Sequence, residues 1–168
     1  MEAAEFSATV LPFKDKLFRL AKRLLVSKDE AEDAVQEVYL KLWKGKGKFS
    51  SYKNPEAYAV TMTKNYCLDR LRSKQAANLK IVHSNYKHSS DLGRQVEVND
   101  SLQLVFDIMG SLPEQQKIIM QLRDVEQFEF AEIAQMLDSN ETAVRVALSR
   151  ARKTVRNQLV KKHNYGIS

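Results

Sequence analysis

Residues 129–158 read EFAEIAQMLDSNETAVRVALSRARKTVRNQ and hold two helical patterns separated by a short polar break. Phe130, Ile133, Ala134 and Leu137 recur at the spacing of one apolar helix face, and that helix stops at Asp138-Ser139. Asn140 is suited to cap the next helix, because its side-chain oxygen can accept an orphan backbone N–H of the first turn. At about 100° per residue, Val144, Ala147, Leu148, Ala151 and Val155 share one face of that second helix. Arg145, Ser149, Arg152 and Arg156 share another, with Lys153 beside them. Small alanines on the buried side permit close helix approach, and long cationic side chains opposite can reach phosphates and guanine edges. A basic face taken alone is more often a solvated one. The short break, the alanines and the facing apolar helix together make a helix-turn-helix built to lie on duplex DNA, without saying which base is read.

The rest of the chain is also helical in pattern. Glycine and proline are scarce, five and three in 168 residues, and helical spacing outweighs alternation, so the fold class is all-α. Leu17, Leu20, Ala21, Leu24 and Leu25 mark a first helix; Ala31, Val35, Val38 and Leu42 mark a second, opened by acids that suit its N-terminal end. Lys44–Glu56 (KGKGKFSSYKNPE) reads as a loop, and a third helix is expected from about Pro55 to Lys74. Ala76 to about Asp100 is mostly polar without sustained periodicity and reads as a flexible linker between two small domains, residues 5–75 and 101–163. Beyond it, Leu102, Val105, Phe106 and Met109 restore an apolar stripe that Gly110-Ser111-Leu112-Pro113 breaks, with Pro113 expected as a first helical residue before Ile118, Ile119 and Leu122.

Composition narrows the function classes. With 43% hydrophobic and 29% charged residues and no long apolar run, the chain reads as a soluble, cytoplasmic protein that is not inserted in a membrane. One cysteine, Cys67, precludes an internal disulfide and reads as a small buried hydrophobe rather than a reactive thiol. Three scattered histidines give no metal-ligand spacing, so no metal or other cofactor is expected. The net charge of +6 is unevenly spread. Residues 138–168 carry seven Lys/Arg against two acids, whereas Asp29–Glu37 carries five acids and no base. One basic end and one acidic patch suit two partners of opposite charge.

On the second helix, Glu30, Asp33, Gln36, Glu37, Leu40, Lys41 and Lys44 lie opposite the apolar stripe. Such a face is ordinarily solvated, but a leucine set among acids and an amide suits docking to a basic helical partner. The polar side of the third helix carries Lys64, Asn65, Asp69, Arg70, Arg72 and Lys74, and the loop before it supplies Phe49, Tyr52 and Asn54. Cations interleaved with aromatics, Tyr58 and Tyr66 included, suit unpaired DNA, where phosphates meet charge and bases stack on rings. The competing reading makes Phe49 and Tyr58 core residues.

Taken together these segments resemble the sigma factors of bacterial RNA polymerase, specifically the small extracytoplasmic-function class of the sigma-70 family. AEDAVQEVYLKLWK looks like the polymerase-binding helix, and NPEAYAVTMTKNYCLDRLRSK looks like the promoter-melting, minus-10-reading helix. LPEQQKIIMQLRDVEQFEFAEIAQMLDSNETAVRVALSRARKTV is similar to the minus-35-reading domain. The resemblance implies a non-enzymatic initiation factor whose partners are core RNA polymerase, promoter DNA in duplex and single-stranded form, and an anti-sigma protein, with no small-molecule substrate. Asp33, Gln36, Glu37 and Leu40, with Lys41 beside them, would meet the polymerase. Lys64, Asn65, Asp69 and Arg72 would lie near the minus-10 element, and the Lys48–Asn54 loop would hold a base flipped from the stack. Arg145, Val146, Ser149 and Arg150 would face minus-35 bases, with Arg152, Lys153 and Arg156 toward phosphates.

The chain departs from the family in three places. Tyr58 stands for a usual tryptophan, Asp138-Ser139-Asn140 for a Gly-Ile-Ser turn, and Ala143 for a common threonine. These departures put the promoter sequence beyond inference by analogy. A stand-alone helix-turn-helix regulator remains the alternative, and it leaves the acidic face and the loop aromatics without a role.

Overall fold

The computed structural model describes residues 2–80 and 100–166, all helix and connection, with no strand among them. Most of the expected linker therefore lies outside the described residues. The N-terminal unit comprises α1 (Ala3–Val10), a 3-10 turn at Leu11–Phe13, α2 (Lys14–Leu25), α3 (Lys28–Lys44), α4 (Lys46–Phe49) and α5 (Pro55–Lys80). The C-terminal unit comprises α6 (Asp100–Gly110), α7 (Glu114–Met120) continued by a π turn at Gln121–Val125, α8 (Phe130–Met136) and α9 (Glu141–Gly166).

Helix α2 buries the expected stripe completely: Leu17, Leu20, Ala21, Leu24 and Leu25 are all in the core. It packs against α3 and α5, the first through Ala31, Ala34, Val35 and Val38 and the second through Ala59, Val60 and Cys67. Between α2 and α3 the chain turns in two residues. Val26 takes a left-handed conformation (φ 66°) and donates its N–H to the Lys22 carbonyl, while Ser27 Oγ accepts from Glu30 N–H at 3.2 Å and caps α3.

Three boundaries differ from expectation. The loop after α3 contains the short helix α4, because Phe49 is pulled into the core and winds the preceding glycine-rich residues into one turn. Helix α5 runs to Lys80 rather than Lys74, since Gln75, Ala76, Ala77, Leu79 and Lys80 are good helix formers and no glycine or proline interrupts them. Pro113 lies one place ahead of α7 as its N-cap, with an extended backbone (φ −54°, ψ 145°), instead of inside the helix.

The two units touch. Helix α2 packs beside the π turn, and α5 beside α8. Glu126 N–H bonds back five residues to the Gln121 carbonyl at 3.0 Å, and the widened turn brings both side chains together, Gln121 Nε2 donating to Glu126 Oε2 at 3.0 Å.

Candidate nucleic-acid interface

Helix α9 is the most regular of the three expected surfaces. Asn140 caps it as expected, Oδ1 accepting from Ala143 N–H at 2.8 Å. Val144, Leu148, Ala151 and Val155 are buried against the rest of the C-terminal unit. Arg145, Val146, Ser149, Arg150, Arg152, Lys153 and Arg156 are all exposed. Two of these cations are partly engaged in the DNA-free chain. Arg145 stacks over Phe130 at 4.2 Å and pairs with Glu141 at 3.5 Å. Arg152 makes a two-pronged contact with Asp124, Nε to Oδ2 at 3.1 Å, and the hydrogen bond to that carboxylate holds its guanidinium pKa above the usual value. Both pairs sit in solvent, so each costs little to break.

On α3, Asp33, Gln36, Leu40 and Lys41 are exposed and Glu37 is half-buried. Leu40 keeps 48% of its surface in water, an unusual setting for leucine on a charged face. Glu30, the remaining acid of that face, is spent inside the unit on Lys74 and Arg70 of α5. Lys41 lies over the Tyr66 ring at 5.5 Å.

The aromatic loop is assembled differently from the expectation. Phe49, expected on the stacking surface, is 1% exposed and belongs to the core, with the Phe6 ring at 5.9 Å and the Tyr58 ring at 6.4 Å. The accessible aromatics are Tyr52 and Tyr58, stacked at 4.2 Å, and a hydrogen bond between them raises the Tyr58 pKa. Asn54 Oδ1 caps α5 by accepting from Ala57 N–H at 3.0 Å. Lys48, Lys53 and Asn65 are open to solvent, and Asp69 pairs with Arg72 at 2.9 Å. A cleft of about 370 Å³ runs along Tyr52, Asn54, Tyr58 and Thr61, and its far wall is Gln135 and Met136 of α8. A second, of about 210 Å³, lies between Lys41, Met62, Asn65, Tyr66 and Asp69.

Lys64 is half-buried, and its ammonium donates to the Met136 carbonyl at 3.2 Å. Burial lowers its pKa, offset in part by the Asp138 carboxylate. Among the described residues no cluster of three or more His, Cys, Asp or Glu side chains is arranged to hold a metal ion.

Two regions of one family match the chain: "Sigma-70 region 2" over residues 10–77 and "Sigma-70, region 4" over residues 102–155. The chain belongs to the sigma-70 family. Its relatives place it with the extracytoplasmic-function class. The ECF RNA polymerase sigma factor SigK of Mycobacterium tuberculosis (strain ATCC 25618 / H37Rv) is 25% identical over 151 residues, spanning 87% of this chain and 81% of that protein. SigK of Mycobacterium sp. (strain JLS) is 25% identical over 158 residues, spanning 90% and 79%. In fold, the chain is similar to the sigma factor RpoE of Bartonella quintana, solved with the anti-sigma factor NepR, at a TM-score of 0.72 and 23% identity over 92% of this chain and 96% of that one. It is also similar to CnrH, solved with the cytosolic domain of CnrY, at a TM-score of 0.69 and 19% identity over 95% and 90%.

Sequence reasoning missed the polar contacts between the units. Arg19 and Arg23 on α2, and Gln121 and Glu126 at the π turn, are joined by hydrogen bonds. The only signal in the sequence is the run Gln121–Glu126, where polar residues interrupt an apolar face.

Proposed function

We propose that this sigma factor divides its work among three surfaces carried by α3, by the α4–α5 region and by α9. The chain is an alternative sigma factor that directs promoter-specific initiation by core RNA polymerase. In our reading Asp33, Gln36, Glu37, Leu40 and Lys41 bind the polymerase, where a basic helical partner would bury Leu40 within a polar rim. Lys48, Tyr52, Asn54, Lys64, Asn65, Asp69 and Arg72 meet the minus-10 element as it opens, with the Tyr52–Tyr58 stack as the platform for an unpaired base. Phe49 supports that platform from the core. Arg145, Val146, Ser149 and Arg150 face minus-35 bases, and Arg152, Lys153 and Arg156 neutralise phosphates.

The observation that carries this reading is that Asp33, Gln36 and Leu40 on α3 stay open to solvent on a different unit from the exposed basic face of α9. A protein that only bound an operator would need the second of these and not the first. We place the domain limits at residues 5–75 and 101–163, with 76–100 as the connection. The protein is proposed to be non-enzymatic, to act in the cytoplasm and to be bound by an anti-sigma protein, as its structural relative RpoE is found in complex with the anti-sigma factor NepR. Neither DNA-reading surface needs to bind tightly alone, because attachment to one polymerase raises the effective concentration of the second.

The test is binding to core polymerase. Asp33→Lys should weaken it and Arg145→Ala should leave it intact while lowering affinity for minus-35 duplex by about 1–3 kcal/mol if Arg145 makes a bidentate base contact. Full core affinity in a chain lacking residues 1–75 would sink the reading.

A further inference from the structure

We propose that Phe130, braced by Arg123, is a positioning residue that sets the Arg145 guanidinium for reading a minus-35 base pair. Phe130 opens α8 and belongs to its apolar stripe, yet it is only half-buried where Ile133 is completely enclosed. Two cations use the part of the ring that the core leaves free. The Arg145 guanidinium lies over it at 4.2 Å from the centroid, and that of Arg123 at 4.3 Å. Like charges at one ring repel, so each needs a further anchor, and the two anchors differ. Arg123 Nη1 donates to the Phe128 carbonyl at 2.9 Å and faces the Glu129 carboxylate at 3.8 Å, which ties it to the segment leading into α8. Arg145 has Glu141, one turn back on its own helix, at 3.5 Å. That pair is long and lies between exposed groups, so another acceptor replaces it at little cost. Arg123 is thus fixed to the backbone that carries the ring, whereas Arg145 is held chiefly by the ring itself.

A guanidinium carries its five N–H donors in its plane and can rest on an aromatic ring through its face. Stacking therefore restrains the group without consuming the donors that a guanine edge accepts. A free arginine surrenders rotamer freedom when it binds, and one already held over a ring surrenders less. The other cations of the α9 face fall into two kinds. Arg152 is gripped by Asp124, while Arg150, Lys153 and Arg156 have no ion pair or ring contact among the described residues. Mobile cations suffice for phosphates, whose attraction is long-ranged and tolerant of geometry; a base edge needs its donor pair at one place. The π turn supplies both restraints from successive residues. Arg123 reaches the α9 face through Phe130, and Asp124 reaches it directly. A widened turn just ahead of α8 thereby presets two arginines two turns apart on α9.

The inference rests on the assignment of Arg145 to minus-35 bases, and its test reads that assignment separately. Parent holoenzyme, assembled on core RNA polymerase, selects a promoter from genomic DNA. The minus-35 segment of that promoter is then randomised, and the members bound by each variant holoenzyme are counted by sequencing. Arg145→Ala should flatten the preference at one or two base pairs. Phe130→Leu keeps an apolar residue in the stripe and should lower discrimination at those same base pairs about two- to fivefold, the weight of a cation–π contact at an exposed site. Phe130→Tyr keeps the ring and should retain the parent's preference. In a chain already carrying Arg145→Ala, Phe130→Leu should change discrimination no further, an outcome that a general packing defect would not give. Unchanged or sharper discrimination in Phe130→Leu, an equal loss on every sequence, or a further loss in the double variant would overturn the positioning role. An equal loss on every sequence in Arg145→Ala would instead remove base reading from Arg145, and the role of Phe130 with it.

Discussion

Val26 holds a β-branched side chain at φ 66°, in the two-residue turn that aims α3, with 75% of its surface in water. Left-handed backbone costs a β-branched L-residue at least about 1–2 kcal/mol through its Cβ, a cost that glycine escapes. Glycine in turn loses about 0.5–1 kcal/mol to the entropy of its unfolded chain. Comparing Val26→Gly with Val26→Ala cancels the small loss of side-chain burial common to both. On these figures the glycine variant should be the more stable by about 0.5–1 kcal/mol. Glu32, exposed within α3 and regular in backbone, is the control: there alanine should exceed glycine by about 1 kcal/mol. Denaturant titration followed by helical circular dichroism measures all four variants, with equal slopes required before midpoints are compared. An alanine variant at Val26 as stable as the glycine variant, with the Glu32 pair in its expected order, would refute the claim that the turn is strained.

The remaining predictions concern α9 and the core. Asn140→Ala removes the cap of α9 and should cost about 1 kcal/mol in thermal or denaturant unfolding. Leu148→Ala, at a position 2% exposed, should cost about 2–5 kcal/mol, whereas Val146→Ala, two residues earlier and 43% exposed, should leave unfolding almost unchanged and reduce duplex-DNA binding. Burial pushes the Cys67 thiol up to about 12, so the folded chain keeps it protonated across the neutral and mildly alkaline range. Because the unfolded chain releases that proton at lower pH, this group's contribution to stability falls as pH rises from about 9 toward 12. Alkylation of Cys67 at pH 8 should be slow in native protein and fast in denaturant; equal rates would contradict its burial.

The residues that were legible in the sequence are those whose partners lie close along the chain. The apolar positions of α2, α3 and α9 repeat at helical spacing, and Asn140 stands three residues from the N–H it caps. Boundaries set by distant packing were not legible. Phe49 in a glycine-rich run can be read as a loop aromatic or as core, and packing against rings such as Phe6, more than forty positions earlier, decides for the core. The polar contacts between the units were hidden for the same reason. Arg19 and Arg23 lie on the polar side of α2, where arginines ordinarily meet water, and their partners are 107 and 98 positions away. No local rule reports a pair at that separation. The acidic face of α3 was legible as a pattern, yet Glu30 turned inward to Lys74 and Arg70 while Asp33 stayed open, a division that depends on where α5 passes.

The turn before α9 shows what one departure from the family changes. Asp138 stands where the family carries glycine, and its backbone has a positive φ of 54°. The family glycine is thereby explained as a conformational requirement, and aspartate meets it because short polar side chains tolerate the left-handed region better than others do. The turn keeps its own bonds: Ser139 N–H reaches the Ala134 carbonyl at 2.8 Å, and Asp138 N–H reaches the Gln135 carbonyl at 3.2 Å. The α8–α9 geometry therefore does not depend on the missing glycine. What aspartate adds is charge. Its carboxylate acts on Lys64 across the interface between the units, countering the loss of hydration that pulls the lysine pKa down. Glycine at this place would preserve the turn and leave Lys64 with only the Met136 carbonyl. The substitution that looks like a flaw in the helix-turn-helix thus leaves the turn before α9 intact and adds a negative charge that acts on Lys64.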